Sequence, residues 1–169
     1  NEGFLIERLD IGGGLGIDYQ QDGRQDIAKI KLYTKLVTQS FKGLDVEVIL
    51  EPGRILVARC GLLITEVQYL KNNGKINFAI VDTGMHHLIR PALYQAYHRI
   101  SPLMPHEGRK IKYNIVGPIC ESSDFLAVDR TMSPLYQGDI LCIHDCGAYG
   151  FSMASTYNLQ DLPAEFCVN

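Results

Sequence analysis

The sequence predicts two unlike parts in succession, an α/β segment followed by a mainly antiparallel β domain, and three observations carry that reading. Within residues 1–60 a strand, a glycine-rich loop, a helix and a second strand follow one another, which is the grammar of a βαβ unit. From Gly61 onward short strand-like stretches recur, most of them separated by turn signals such as Asn72-Asn73-Gly74 and Gln137-Gly138-Asp139. The change of grammar lies near Cys60, so residues 1–60 and 61–169 are expected to be separate parts.

In order, residues 7–11 read as a short strand running into Gly12-Gly13-Gly14-Leu15-Gly16. Residues 22–41 place Ile27, Ile30, Leu32, Leu36, Val37 and Phe41 at helical spacing. Lys42-Gly43 supplies a basic last turn and a glycine stop. Residues 46–50 read as a buried strand ending at Glu51-Pro52-Gly53-Arg54. In the second part, strands are expected over residues 62–71, 77–82, 111–117, 124–130 and 139–145, with helical turns inside 85–98 and 148–157. A complete β/α barrel needs ~250 residues. The first part therefore reads as the last units of such a TIM-like barrel, and the chain as a fragment.

Composition narrows the function classes. The 169 residues are 46% hydrophobic and 21% charged, ordinary for a soluble globular chain. A net charge of -3 without any lysine or arginine run makes nucleic acid and anionic membrane poor partners. No apolar stretch approaches the ~20 residues of a membrane span. Five cysteines without paired spacing point to a reducing, cytoplasmic setting rather than a disulfide framework. Cys142, His144 and Cys146 alternate along one expected strand face, but no fourth zinc ligand accompanies them. Small cysteines packed in a core are the favoured reading, and no metal is expected.

Five short elements could carry chemistry. Gly12, Gly13 and Gly14, between strand and helix, can turn successive backbone N–H groups toward a phosphate, or simply make a tight turn. The spacing does not fit the G-x-G-x-x-G pattern of dinucleotide folds. Glu51, Pro52, Gly53 and Arg54 stand at the C-terminal end of the next strand, where barrel active sites form. They also suit an ordinary helix start with proline in its first turn. Arg90 and Tyr94, four apart, could clasp a carboxylate from one helical face, although as an isolated pair they read as surface packing. Cys120 beside Glu121 on a loop after Gly117-Pro118 suits proton delivery, while most lone cysteines are inert. The glycines of Gly147-Ala148-Tyr149-Gly150 could hold the Tyr149 hydroxyl against a ligand.

In this order the elements resemble the alanine-racemase-like, fold type III pyridoxal-phosphate decarboxylases, and most closely the diaminopimelate decarboxylases among them. The stretches LDIGGGLGIDY, EPGR, VDTGMHHLIRPALYQAYH, GPICESSDF and GDILCIHDCGAYGFSMASTYN carry the resemblance from Leu9 to Asn158. Of these, RPALY and CESSD point to meso-diaminopimelate as substrate. The resemblance implies that Gly12–Gly14 and the backbone of Glu51–Arg54 hold the phosphate of pyridoxal 5'-phosphate, and that Glu51 pairs with its ring nitrogen. It implies that Arg54, Arg90 and Tyr94 bind the distal carboxylate of the substrate. Tyr149 would touch both cofactor and substrate. Cys120 would deliver a proton and Glu121 would meet the distal ammonium, both acting across a homodimer interface.

His86-His87 departs from the polar-acidic pair usual in the family. Nothing in the chain matches the family's cofactor-binding lysine or the histidine that stacks on the cofactor ring. Lys29, Lys31, Lys35 and Lys42, by their helical placement, are not substitutes. This stretch alone is therefore expected to be inactive. Two other readings stay open: a decarboxylase of another basic amino acid or carboxylated polyamine, and a non-catalytic β domain for dimerisation or binding.

Overall fold

The structure is a computed structural model that describes Gly3 and residues 5–168. Strands β1 (Arg8–Asp10) and β2 (Glu47–Ile49) pair in parallel, Arg8 opposite Glu47 and Asp10 opposite Ile49, with α1 (Asp26–Ser40) crossing between them. This is the βαβ unit that the apolar spacing predicts. The helix starts at Asp26 rather than near residue 22 because the preceding residues form a turn. There the Asp22 carboxylate accepts the Arg24 N–H at 3.2 Å, and Gly23 takes a left-handed φ of +86°. No side chain of α1 is fully buried, and Ile27, Leu32 and Leu36 are more than half exposed. A short helix α2 (Arg54–Val57) follows β2 and runs into a 3-10 turn, Ala58–Cys60.

The second part is a six-stranded sheet of β3 (Leu63–Asn72), β4 (Asn77–Val81), β5 (Ile100–Pro102), β6 (Ile111–Val116), β7 (Phe125–Met132) and β8 (Ile140–Ile143). Their order across the sheet is β5-β8-β3-β4-β6-β7. The sheet is mixed. The sequence neighbours β3–β4 and β6–β7 pair antiparallel, but β4 and β6 are parallel. Between them the chain crosses through α3 (Arg90–Tyr94) and edge strand β5, and such a crossover can return a strand in its original direction. Local sequence pattern carries no signal for that reversal. Nor does it show β5, three residues ending in a proline that only a sheet edge tolerates.

Strand β3 belongs to both halves of the sheet. Leu63–Glu66 pair with β8 and Val67–Asn72 with β4, with a register shift between Val67 and Tyr69. That irregularity bends the strand and lets the sheet curl over one core. Val67, Val81, Leu88, Ile115, Leu126, Leu141 and Ile143 form its centre. Tyr113 is buried with its hydroxyl satisfied, accepting the Leu135 N–H at 3.1 Å. Among the described residues, no helix is long and apolar enough to cross a membrane.

The two parts should respond differently to truncation. Leu141→Ala, at a fully buried position, should lower the unfolding free energy by about 2–5 kcal/mol, whereas Leu36→Ala on the open face of α1 should change it by less than about 0.5 kcal/mol. Urea titration followed by circular dichroism reads both. Equal losses would place the core elsewhere.

Candidate active site

The parallel pair β1–β2 continues past its last paired residues. The Ile11 N–H donates to Ile49 O at 3.1 Å and the Glu51 N–H to Gly12 O at 2.9 Å. This lays Gly12–Gly14 beside Glu51–Arg54 at one end of the two strands. Gly13 must be glycine, because a Cβ there would overlap the Glu51 carbonyl. Gly12 and Gly14 take left-handed φ values of +70° and +85°. In front of Gly12, Gly14 and Gly53, by contrast, space is open where side chains would stand. The Asp10 carboxylate braces the loop by accepting the Gly12 N–H at 2.7 Å, and the Tyr33 hydroxyl donates to Gly13 O at 3.2 Å. The result is an open, backbone-lined surface suited to a phosphate.

Arg54 opens α2, and its guanidinium lies 5.6 Å from the centre of the Tyr149 ring. Tyr149 is itself in the left-handed region, at φ +64°, a conformation that costs a non-glycine residue about 1–3 kcal/mol and persists only when neighbours impose it. They do so here through close backbone packing. A Cβ on Gly147 would overlap the Val57 carbonyl, and one on Gly150 the Cys146 carbonyl. The Gly147 N–H donates to Ala58 O at 3.0 Å and the Cys146 N–H to Gly61 O at 2.9 Å. The end of β8 is thereby fastened to the turn after α2, which delivers Tyr149 to Arg54.

A second arginine joins the parts. Arg59 pairs with Asp26 on α1 and with Asp145 after β8 at 3.2 Å. It also donates to the carbonyls of Gln21 and Asp18 at 3.0 and 3.1 Å. Its pKa is raised, first by the hydrogen bond to Asp26, with burial opposing. The loop before α1 is thus held against the sheet, with Tyr19 inside it.

Arg90 is buried, only 5% exposed. Its guanidinium lies 4.8 Å from the Tyr19 ring centre, and its Nη1 donates to His98 Nε2 at 2.8 Å. His98 is fully buried, its Nδ1 2.9 Å from the His144 carbonyl, and Tyr19 meets it edge-on at 5.0 Å. Among the described residues no carboxylate lies within ion-pair distance of Arg90. Surface packing, the reading of Arg90 as an isolated residue, is therefore replaced by burial. Tyr94 sits at the end of the same five-residue helix and is 62% exposed, with no hydrogen bond to Arg90 among the described residues. The helix stops there because Gln95 turns left-handed, at φ +53°.

Cys120 and Glu121 are exposed on the loop between β6 and β7. Buried Asp124 shapes that loop by accepting the N–H groups of Met85 at 2.6 Å and Ile119 at 2.7 Å. Gly84 and Gly117 are glycines because that carboxylate fills the place of their side chains. Among the described residues no hydrogen bond or ion pair links Cys120 or Glu121 to Arg54, Arg90 or Tyr149. Cys142 and Cys146 are core residues, and His144 is taken up by Arg99 and Ser101 at 2.7 and 2.8 Å. Among the described residues no group of three potential metal ligands gathers.

Tyr19, Arg59 and His98 escape sequence reasoning. Tyr19 and His98 close two of the recognisable stretches, LDIGGGLGIDY and VDTGMHHLIRPALYQAYH, where they look like punctuation. Arg59 had a visible signal, since it is the one charge in the otherwise apolar run after Arg54.

Comparison with known proteins adds a family and its neighbours. Residues 18–147 match the family described as pyridoxal-dependent decarboxylase, C-terminal sheet domain. The diaminopimelate decarboxylase of Aquifex aeolicus is 45% identical over 99% of this chain and 39% of its own length. That of Vibrio cholerae is 45% identical over 99% of this chain and 40% of its own length. The crystal structure of Helicobacter pylori diaminopimelate decarboxylase complexed with L-lysine superposes with a TM-score of 0.82 at 41% identity, covering 92% of this chain and 38% of that one. The chain spans about two fifths of the length of the curated relatives it matches.

Two measurements check the buried groups. Burial is the first cause that lowers the pKa of His86, His98 and His144 below the usual 6.5. The unfolded chain therefore takes up protons first as pH falls. Stability should be full above about pH 6.5 and decline as pH drops toward the lowered folded values. A urea midpoint unchanged between pH 7.5 and 5.5 would contradict the burial of these rings. The Cys146 thiol is pushed up to about 12, chiefly by burial, whereas Cys60, Cys120 and Cys167 are exposed. Alkylation of the native chain at pH 8, read by mass spectrometry, should label those three and spare Cys146.

Proposed function

The chain belongs to the pyridoxal-dependent decarboxylases, and from that premise we propose that it is the C-terminal part of a diaminopimelate decarboxylase. The full-length enzyme removes CO2 from the D-configured carbon of meso-diaminopimelate and leaves L-lysine. In this reading residues 1–60 are the last β/α units of the cofactor-binding barrel and 61–169 the C-terminal β domain. The observation that carries the choice of substrate is Arg90, a buried cation without a carboxylate partner among the described residues. A ligand with an anionic far end satisfies it. A basic amino acid or diamine precursor lacking that group leaves it unpaired at a cost of several kcal/mol, which disfavours the related decarboxylases of such substrates.

The glycine-lined surface fits pyridoxal 5'-phosphate, because the open space at Gly12, Gly14 and Gly53 admits a phosphate against backbone. When bound, the cofactor supplies an electron sink for the breaking C–CO2 bond. The chain's own residues do the rest. Gly12–Gly14 and the backbone of Glu51, Pro52, Gly53 and Arg54 hold the phosphate. Glu51 keeps a proton on the ring nitrogen. Tyr149, fixed beside Arg54, touches both cofactor and substrate. Arg54 and Arg90 take the distal carboxylate, which Tyr94 approaches from the open side of α3. Cys120 and Glu121 serve the partner's site in a twofold homodimer. Cys120 places a proton on the carbon that lost CO2, and Glu121 meets the distal ammonium. Their exposure on a loop braced by Asp124 suits groups lent to another subunit.

A panel of amino acids offered to the full-length enzyme tests the reading, with CO2 release as readout. Turnover should be confined to meso-diaminopimelate, with L-lysine, L-ornithine and L-arginine at background. Preferential release from any of those three would contradict it. Gly13→Ala should wedge the glycine loop from Glu51 and weaken pyridoxal 5'-phosphate binding by about tenfold or more, as measured by absorbance titration. Unchanged cofactor affinity would remove the glycine loop from the site.

A further inference from the structure

Resting on the assignment of Arg90 to the distal carboxylate, we propose that His98 is the positioning residue of that recognition site. Through its Nε2 it fixes the Arg90 guanidinium, against the Tyr19 ring, in the pose that receives the carboxylate.

The hydrogen bonds admit one form of His98. Its Nδ1 faces the His144 carbonyl at 2.9 Å and must carry hydrogen. Its Nε2 faces Arg90 Nη1 at 2.8 Å, and a guanidinium only donates, so Nε2 must offer its lone pair. The neutral Nδ1–H tautomer satisfies both. Among the described residues Arg90 donates to His98 alone, which leaves Nε and Nη2 free for a two-point grip on a carboxylate. Tyr19 restrains the pair from a third side, facing Arg90 and meeting His98 edge-on.

Protonating His98 would set N–H against N–H and place a second positive charge beside Arg90. The surroundings resist this. Burial is the leading cause that lowers its pKa, and Arg90 from α3 and Arg130 from β7 act in the same direction. The His144 carbonyl and Asp145, both after β8, pull the other way, and the Cys146 thiol lies 3.9 Å from Nδ1. At neutral pH the lone pair is available. As pH falls through the lowered value, the hold on Arg90 is lost, and recognition of the carboxylate should weaken with it.

The test is steady-state kinetics of the full-length enzyme with meso-diaminopimelate between pH 5 and 8.5, for wild type, His98→Asn, His98→Gln, Arg90→Ala and the double variant His98→Asn/Arg90→Ala. In His98→Asn the amide can still donate to the His144 carbonyl, but nothing accepts from Arg90. KM should rise about 10- to 100-fold with kcat within a few-fold. In His98→Gln an amide oxygen reaches Arg90, so KM should return to within a few-fold of wild type. The rise of KM on the acid side, present in wild type, should be absent from this variant. In the double variant the asparagine should add nothing to the loss from Arg90→Ala.

A folded His98→Asn enzyme with wild-type KM would overturn the proposal. If that variant does not fold, wild type and His98→Gln decide, and identical KM profiles on the acid side would overturn it. An Arg90→Ala enzyme with unchanged KM overturns the assignment of Arg90, and this inference with it. A raised KM in Arg90→Ala beside a silent His98→Asn overturns the inference alone.

Discussion

One guanidinium, that of Arg59, holds the βαβ unit to the sheet. It reaches Asp26 at the first turn of α1, Asp145 beyond β8, and the carbonyls of Asp18 and Gln21 between them. Without it the largely buried carboxylates of Asp26 and Asp145 would lose their shared cation, and the loop over residues 18–25 would lose its anchor. Tyr19 lies between the two carbonyls that Arg59 grips, so its ring stands beneath Arg90 because Arg59 is in place. The Asp18 and Gln21 carbonyls that Arg59 grips flank Tyr19, whose ring meets Arg90 and His98, and His98 in turn ends on the His144 backbone. The glycine surface is set from the same side, since Gly16 in this loop lies next to Arg54.

Charge compensation separates the arginines by role. Arg59 meets two carboxylates and is complete within the chain. Arg90 is buried more deeply yet meets an imidazole and an aromatic face, which soften the loss of water without neutralising the charge. A buried charge left in that state is poor for stability, and the proposed ligand carboxylate would relieve it. Tyr149 shows the same economy in its backbone. It is held left-handed by contacts of Gly147 and Gly150 that no larger residue could make, and it stands at the arginine that opens α2. One left-handed residue, Tyr149, and one arginine without a carboxylate, Arg90, thus stand where the βαβ unit meets the sheet.

Much of the architecture can be read from local pattern. The apolar spacing along α1, the strands that flank it and most strands of the sheet follow from periodicity and turn residues. The glycine triplet and Glu51–Arg54 announce themselves because their backbone geometry needs glycine or proline. What cannot be read depends on distant contacts. The parallel pairing of β4 with β6 and the edge strand β5 arise from the long crossover between them. The four-residue spacing of Arg90 and Tyr94 does not show that α3 is one turn long and ends at a left-handed Gln95, with the arginine buried and the tyrosine exposed. His98 and Tyr19 have meaning only once Arg90 lies between them.

The measurement that bears most directly on this picture is substrate selectivity of the full-length enzyme between meso-diaminopimelate and D-lysine. D-lysine presents the same configuration at the reacting carbon and lacks only the distal carboxylate. An unpaired Arg90 predicts that wild type prefers meso-diaminopimelate in kcat/KM by about 10⁴-fold or more. It also predicts that Arg90→Ala shrinks that ratio by about 100-fold, through loss on meso-diaminopimelate while D-lysine is unaffected. Equal losses on both substrates would show that Arg90 supports the fold and not the carboxylate.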